Sequence, residues 1–170
     1  MIESVKKVKD LQEKLSSENS KVIADKINSL RNENPFSGAI ALLVNLFDTT
    51  NNREIKDLIR NFLNDIKEPN ARNEVIGELK KDYKAETITM LACSCWQSGL
   101  DYSDFANEFA EAFVKGDYLT SLECFTVIEE SFLNISQFNK TRIIRLLEDN
   151  IESFAPEKTT LTRTLISILL

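Results

Sequence analysis

Four carboxylates, Asp101, Asp104, Glu108 and Glu111, recur at i, i+3, i+7 and i+10, a spacing that lines one face of a helix. A ladder of this kind can hold a pair of irons inside a helical bundle, but such sites also need Glu-x-x-His pairs, and the chain contains no histidine. The stripe therefore reads as an exposed acidic face, with Asp101 suited to a helix start. The missing histidine also removes Ser-His-Asp and Cys-His nucleophilic chemistry, Cys/His zinc fingers, histidine haem ligation and histidine pH switching. Of three cysteines, Cys93 and Cys95 flank Ser94 and miss the C-x-x-C spacing of redox and zinc motifs. On a helix they sit about 200° apart and point away from each other. Cys95 falls in an apolar register and reads as core, and Cys93 as reachable. An odd cysteine count without scaffold spacing predicts a reducing, cytoplasmic setting. No catalytic residue, metal or cofactor is expected.

These residues need elements to hold them. The chain has 170 residues with Gly 4 and Pro 3, too few punctuators for a meander of tight turns, and 10 phenylalanines among an ample aliphatic stock for a core. The composition predicts an all-α protein. Pro35 and Pro69 stand 34 residues apart, and an apolar triplet repeats at the same period. Leu42, Leu43 and Leu46 return as Val75, Ile76 and Leu79, then as Phe109, Ala110 and Phe113, then as Ile143, Ile144 and Leu147. A second register carries Ile55, Leu58, Ile59, Phe62 and Leu63 onto Ile88, Leu91, Ala92, Cys95 and Trp96, and then onto Cys124, Phe125 and Ile128.

Each unit thus holds two amphipathic helices. First helices are expected near 3–15, 36–48, 69–82, 101–115 and 136–152, and second helices near 18–32, 51–66, 84–99, 117–133 and 156–169. Ser17, Asn51 or Asn52, Asp101 and Ser136 stand where N-caps belong, Pro35, Pro69 and Pro156 near first turns, and Gly99 and Gly116 just past helix ends. Short connections force neighbours antiparallel. Such hairpins in series predict one domain, residues 1–170, a right-handed α-α superhelix (solenoid) of about five two-helix repeats with units near 1–33, 34–67, 68–100, 101–135 and 136–170. A globular bundle of ten short helices is the competing architecture.

The segment Glu68-Pro69-Asn70-Ala71-Arg72-Asn73-Glu74-Val75-Ile76-Gly77-Glu78-Leu79 resembles the opening of a HEAT-like (armadillo-type) helical repeat, with an acidic residue and proline, then a small residue and arginine, then an aliphatic pattern closing on leucine. Asn34-Pro35 opens the preceding unit similarly without the arginine, and the units from 101 and 136 keep only the apolar pattern. The W-x2-L-G-x2-Y opening of tetratricopeptide repeats is absent. The resemblance implies a binding surface formed by the second helices. It also admits an enzymatic alternative, since HEAT-like DNA glycosylases remove alkylated bases with aromatic, acidic and arginine residues, types that Trp96, Asp101 and Arg142 supply here.

By helical angle the outward rows of the second helices are Glu54, Asp57, Asn61 and Asn64, then Thr87, Met90, Ser94 and Gln97, then Thr120, Glu123, Val127 and Glu130. They read either as plain solvated surface or as a mildly acidic groove for a protein or peptide with a basic patch. Charge argues the same way. The net is −6, and from Glu86 to Leu133 a single lysine faces nine acids. This disfavours nucleic acid and attracts cations. The N-terminus has no basic start followed by an apolar stretch, and no apolar run approaches the ~18 residues of a membrane span, so neither a secretion signal nor a membrane partner is expected.

In the last helix Leu161, Leu165, Ile166, Ile168, Leu169 and Leu170 spread around more than half the circumference, where a solenoid end should be polar. Leu161, Leu165, Ile168 and Leu169 therefore mark either a homo-oligomer edge or a tail folded back on itself. The functional expectation is a non-enzymatic protein-protein interaction or scaffold module with an acidic surface. A DNA glycosylase and a structural homo-oligomer subunit are its alternatives.

Overall fold

The structure, a computed structural model, describes residues 2–33 and 36–170, with side chains from Val5 onward. The expectation that Pro35 opens a helix lies outside the described residues. Every regular element among them is helical. The chain divides into two compact units, Met1–Tyr83 and Lys84–Leu170.

The first unit holds α1 (Ile2–Leu15), α2 (Ser20–Leu30), α3 (Ala39–Thr49), α4 (Arg53–Asn64) and α5 (Ala71–Leu79). Each helix packs on its hairpin partner or on the helix two places along: α1 on α2 and α3, α2 on α4, α3 on α4 and α5. Leu11, Ile27, Leu43, Val44, Phe47, Ile55, Ile59 and Leu63 fill the space between them.

The second unit holds α6 (Ala85–Ser98), α7 (Ala106–Lys115), α8 (Tyr118–Glu130), α9 (Gln137–Asn150) and α10 (Pro156–Leu169). Here α8 packs on α6, α7 and α10, α7 on α9, and α9 on α10. Its core is Leu91, Ala92, Cys95, Tyr102, Phe109, Phe113, Cys124, Ile128, Ile143 and Leu147, with Tyr102 edge-on to Phe109 at 5.7 Å between centroids. All four repeated triplets are buried or half-buried, which is why the 34-residue register is visible in the sequence.

The helix ends follow from local hydrogen bonding. Asn52 accepts from the Ile55 N–H at 3.2 Å, Asp117 from Thr120 at 2.8 Å and Ser136 from Asn139 at 3.3 Å, each relieving an unpaired first-turn donor. Ser17 does not cap α2. Its hydroxyl accepts from the Asn19 N–H, and Asn19 is the cap, accepting from Lys21. Asp101 accepts from the Ser103 N–H at 2.8 Å and so starts a 3-10 turn, Ser103–Phe105, ahead of α7 rather than α7 itself. Pro156 stands in the first turn of α10, while Pro69 precedes α5 by two residues. Gly99 closes α6 at φ +70°, where a side chain would be strained.

Candidate functional surface

The surface of the second unit is set by how many neighbours each helix has. Since α8 is flanked by α6 and α10 and lies on α7, three of its sides are covered. Thr120, Ser121, Cys124, Phe125, Val127 and Ile128 are buried, and Tyr118, Leu119, Leu122, Glu123, Thr126, Glu129 and Glu130 keep solvent contact. On α6, Thr87, Met90, Leu91, Ala92, Ser94, Cys95 and Ser98 are buried, leaving Glu86, Trp96 and Gln97 outermost.

This corrects the outward rows read from the sequence. Thr87, Met90 and Ser94 on α6, and Thr120 and Val127 on α8, are each under 5% exposed and line no groove. The reason is packing on more than one side: Thr120 shares a 2.8 Å hydroxyl contact with Thr89 across the α6–α8 seam, and the Ser94 hydroxyl lies 3.7 Å from the Met90 sulfur. Gln97, Glu123 and Glu130 of those rows do reach solvent. In the first unit Glu54, Asp57 and Asn61 are exposed as expected and Asn64 is half-buried.

What sequence reasoning missed lies about one residue round the helix. Leu119 (61% exposed) and Leu122 (37%) on α8 and Trp96 (37%) on α6 are exposed apolar side chains, and the Trp96 indole Nε1 donates to Glu123 Oε2 at 2.7 Å. The signal was present in composition. Neither α6 nor α8 contains a lysine or arginine, while they carry Glu86, Glu123, Glu129 and Glu130.

At the chain's end, Leu165 and Leu169 are fully buried, so they are core rather than an open edge; Leu161 and Ile168 are half-buried. The α8 and α9 helices cover α10 on its apolar side, which accounts for the breadth of that apolar spread. The carboxylate ladder is also dispersed. Asp101 Oδ2 accepts from the Asn134 amide at 2.9 Å and Oδ1 caps the 3-10 turn, while Glu108 and Glu111 stand on α7. Trp96, Asp101 and Arg142 are not drawn into one cluster by any shared bond. Trp96 is tied to α8, Asp101 to the turn before α9, and Arg142 is exposed on α9.

The thiols divide as expected. Burial pushes Cys95 up to about 12, against a hydrogen bond with Tyr102 that pulls the other way, and burial likewise raises Cys124. Cys93 is half-buried, with the Gln97 amide donating to its sulfur at 3.3 Å. In the first unit the ends of α2 to α5 frame a cleft of about 950 Å³ lined by Phe36, Ile40, Phe62 and Ile66. Among its charged groups Arg31 pairs with Asp65, and Glu74 accepts from the N–H groups of Gly38 and Ala41. No protein-family model matches the chain, and no curated protein matches it.

Proposed function

We propose that this chain is a non-enzymatic protein-interaction module, its hairpins stacked as a right-handed superhelix, whose acidic surface receives a cationic protein in the reducing cytoplasm. The carrying observation is the outward face of α6 and α8, where glutamates accompany exposed tryptophan and leucine and neither helix carries a lysine or arginine of its own. Apolar anchors within a charged rim are how protein interfaces divide their work, the anchors supplying affinity and the charges on-rate and selectivity. The superhelix is supported by odd helices packing on odd and even on even within each unit. A reducing location is supported by an odd number of cysteines without disulfide-scaffold spacing.

The test is titration of the full chain with lysine-rich peptides across a range of salt, beside a duplex DNA control. Peptide binding that weakens as salt rises, that falls on Glu123→Lys with Glu130→Lys, and that is matched by no DNA mobility shift is the expected result. Binding that ignores both reversals, or DNA binding at low salt, overturns it.

A further inference from the structure

We propose that the outward face of α6 and α8 is a slot for one amphipathic helix of a partner protein, seating its apolar side chains on Trp96, Leu119 and Leu122 and its lysines or arginines on Glu123, Glu129 and Glu130. This rests on the reading of the chain as a binder of cationic proteins, and narrows it to a place and a partner shape.

At 100° per residue, Leu119, Leu122, Glu123, Thr126, Glu129 and Glu130 share an arc of about 120° on α8. That arc is what α8 shows to solvent, its other sides being buried. Along it the chemistry is ordered, with leucines in the N-terminal half and carboxylates in the C-terminal half. The bonds from Thr89 to Thr120 and from Trp96 to Glu123 advance together along both helices, so α6 and α8 run side by side in one direction with a furrow between them. The Trp96 indole is fixed against α8 by its bond to Glu123, which orders the largest anchor before any partner arrives. Glu123 keeps its second oxygen, and Glu129 and Glu130 take part in no ion pair among the described residues, so all three have acceptor capacity for a cation.

The exposed face of two parallel helices, with leucines on α8 and a tryptophan on α6 beside it, fits recognition of an amphipathic helix, and the described residues offer no sheet edge for an extended peptide. The acids repel anionic lipid and phosphate alike. A second copy is a poorer occupant. A copy offering the cationic apolar face of α9, with Phe138, Arg142 and Arg145, would carry Glu108 and Glu111 of the adjoining α7 toward Glu129 and Glu130.

Trp96 is the only tryptophan, so its emission reads this site directly. The probes are a synthetic peptide with leucines at i, i+3 and i+7 flanked by lysines, and a peptide of identical composition scrambled to destroy the amphipathic order. The ordered peptide is expected to bind roughly tenfold more tightly than the scrambled one and to shift Trp96 emission to shorter wavelength. Leu119→Ser and Glu130→Lys each weaken it by roughly tenfold, while Phe138→Ser on α9 leaves it unchanged. Equal affinity for both peptides with Trp96 emission unmoved removes the slot but leaves the cationic-partner reading standing. Binding of neither peptide removes both. Self-association of the chain in sedimentation that disappears in Leu119→Ser assigns the face to a second copy and also overturns the proposal.

Discussion

Lys158 shows how much one side chain can be asked to hold. It sits in the first turn of α10, only 8% exposed, and its Nζ donates to the carbonyls of Val114 at 2.9 Å and Gly116 at 2.7 Å. Those carbonyls belong to the end of α7, where the helix leaves acceptors unpaired and its dipole is negative. Phe154 lies beneath the ammonium at 4.3 Å. Lys158→Met keeps the stem and deletes the charge, so it should cost about 2 kcal/mol in urea unfolding with an unchanged m-value. Nothing in the pattern of residues marks this lysine, since it stands in a polar first turn like any solvated one. The cysteines, by contrast, were legible from register alone. Under native conditions a thiol reagent should modify Cys93 quickly and leave Cys95 and Cys124 untouched until the protein unfolds, as intact-mass measurement will show.

At the scale of elements, Glu74 is a tie between helices. From α5 its carboxylate accepts from the N–H of Gly38 at 2.9 Å and of Ala41 at 3.2 Å, capping α3, whose own cap residue has no side chain to do it. Gly38 is there because φ is +95° and because an added Cβ would come within 3.2 Å of Val8. Glu74→Ala should destabilise the first unit by roughly 1–2 kcal/mol, with Glu74→Gln milder because an acceptor remains. Hydrogen exchange at Gly38 to Leu42 localises the effect. Helix positions were readable because Val75, Ile76, Leu79 and their three sets of counterparts are buried or half-buried. The outward rows were misread where a helix is covered on several sides, since Thr120 and Val127 look surface-like when only one buried face is assumed. Short 3-10 turns such as Ser103–Phe105 also escaped, because their period differs too little from that of an α-helix over three residues.

For the whole molecule, alkaline titration should weaken both units, over different pH ranges. In the first, burial and the nearby Glu78 hold the Tyr83 proton above its ordinary 10.0. Lys26 loses some affinity to burial, but its bonds to Glu33 and Asp10 outweigh this and raise it above 10.5. Both therefore contribute stability that is complete below those values and is lost as pH climbs past them. In the second unit burial lowers Lys158, with Asp117 and Cys124 opposing, so the native state sheds that proton before the unfolded chain does. Its contribution grows as pH rises toward 10.5, but buried Cys95 and Cys124 keep their protons above the 9.0 at which unfolded thiols lose theirs, so the second unit is weakened from about pH 9 upward. Hydrogen exchange should show helices α6 to α10 loosening from about pH 9 and helices α1 to α5 only above about pH 10, and Tyr83→Phe should blunt the latter loss alone.

Five of the ties that join elements have a similar reach. Ser20 to Asn52, Arg31 to Asp65, Gly38 to Glu74, Thr89 to Thr120 and Asp101 to Asn134 are each 31–36 residues apart, and the principal packings join a helix to the next or the next but one. A chain wired this way has little loop entropy to overcome before its bonds form. During synthesis, a newly emerged stretch finds its companions already waiting just upstream, so structure can settle step by step behind the ribosome without the last residues having to arrive first.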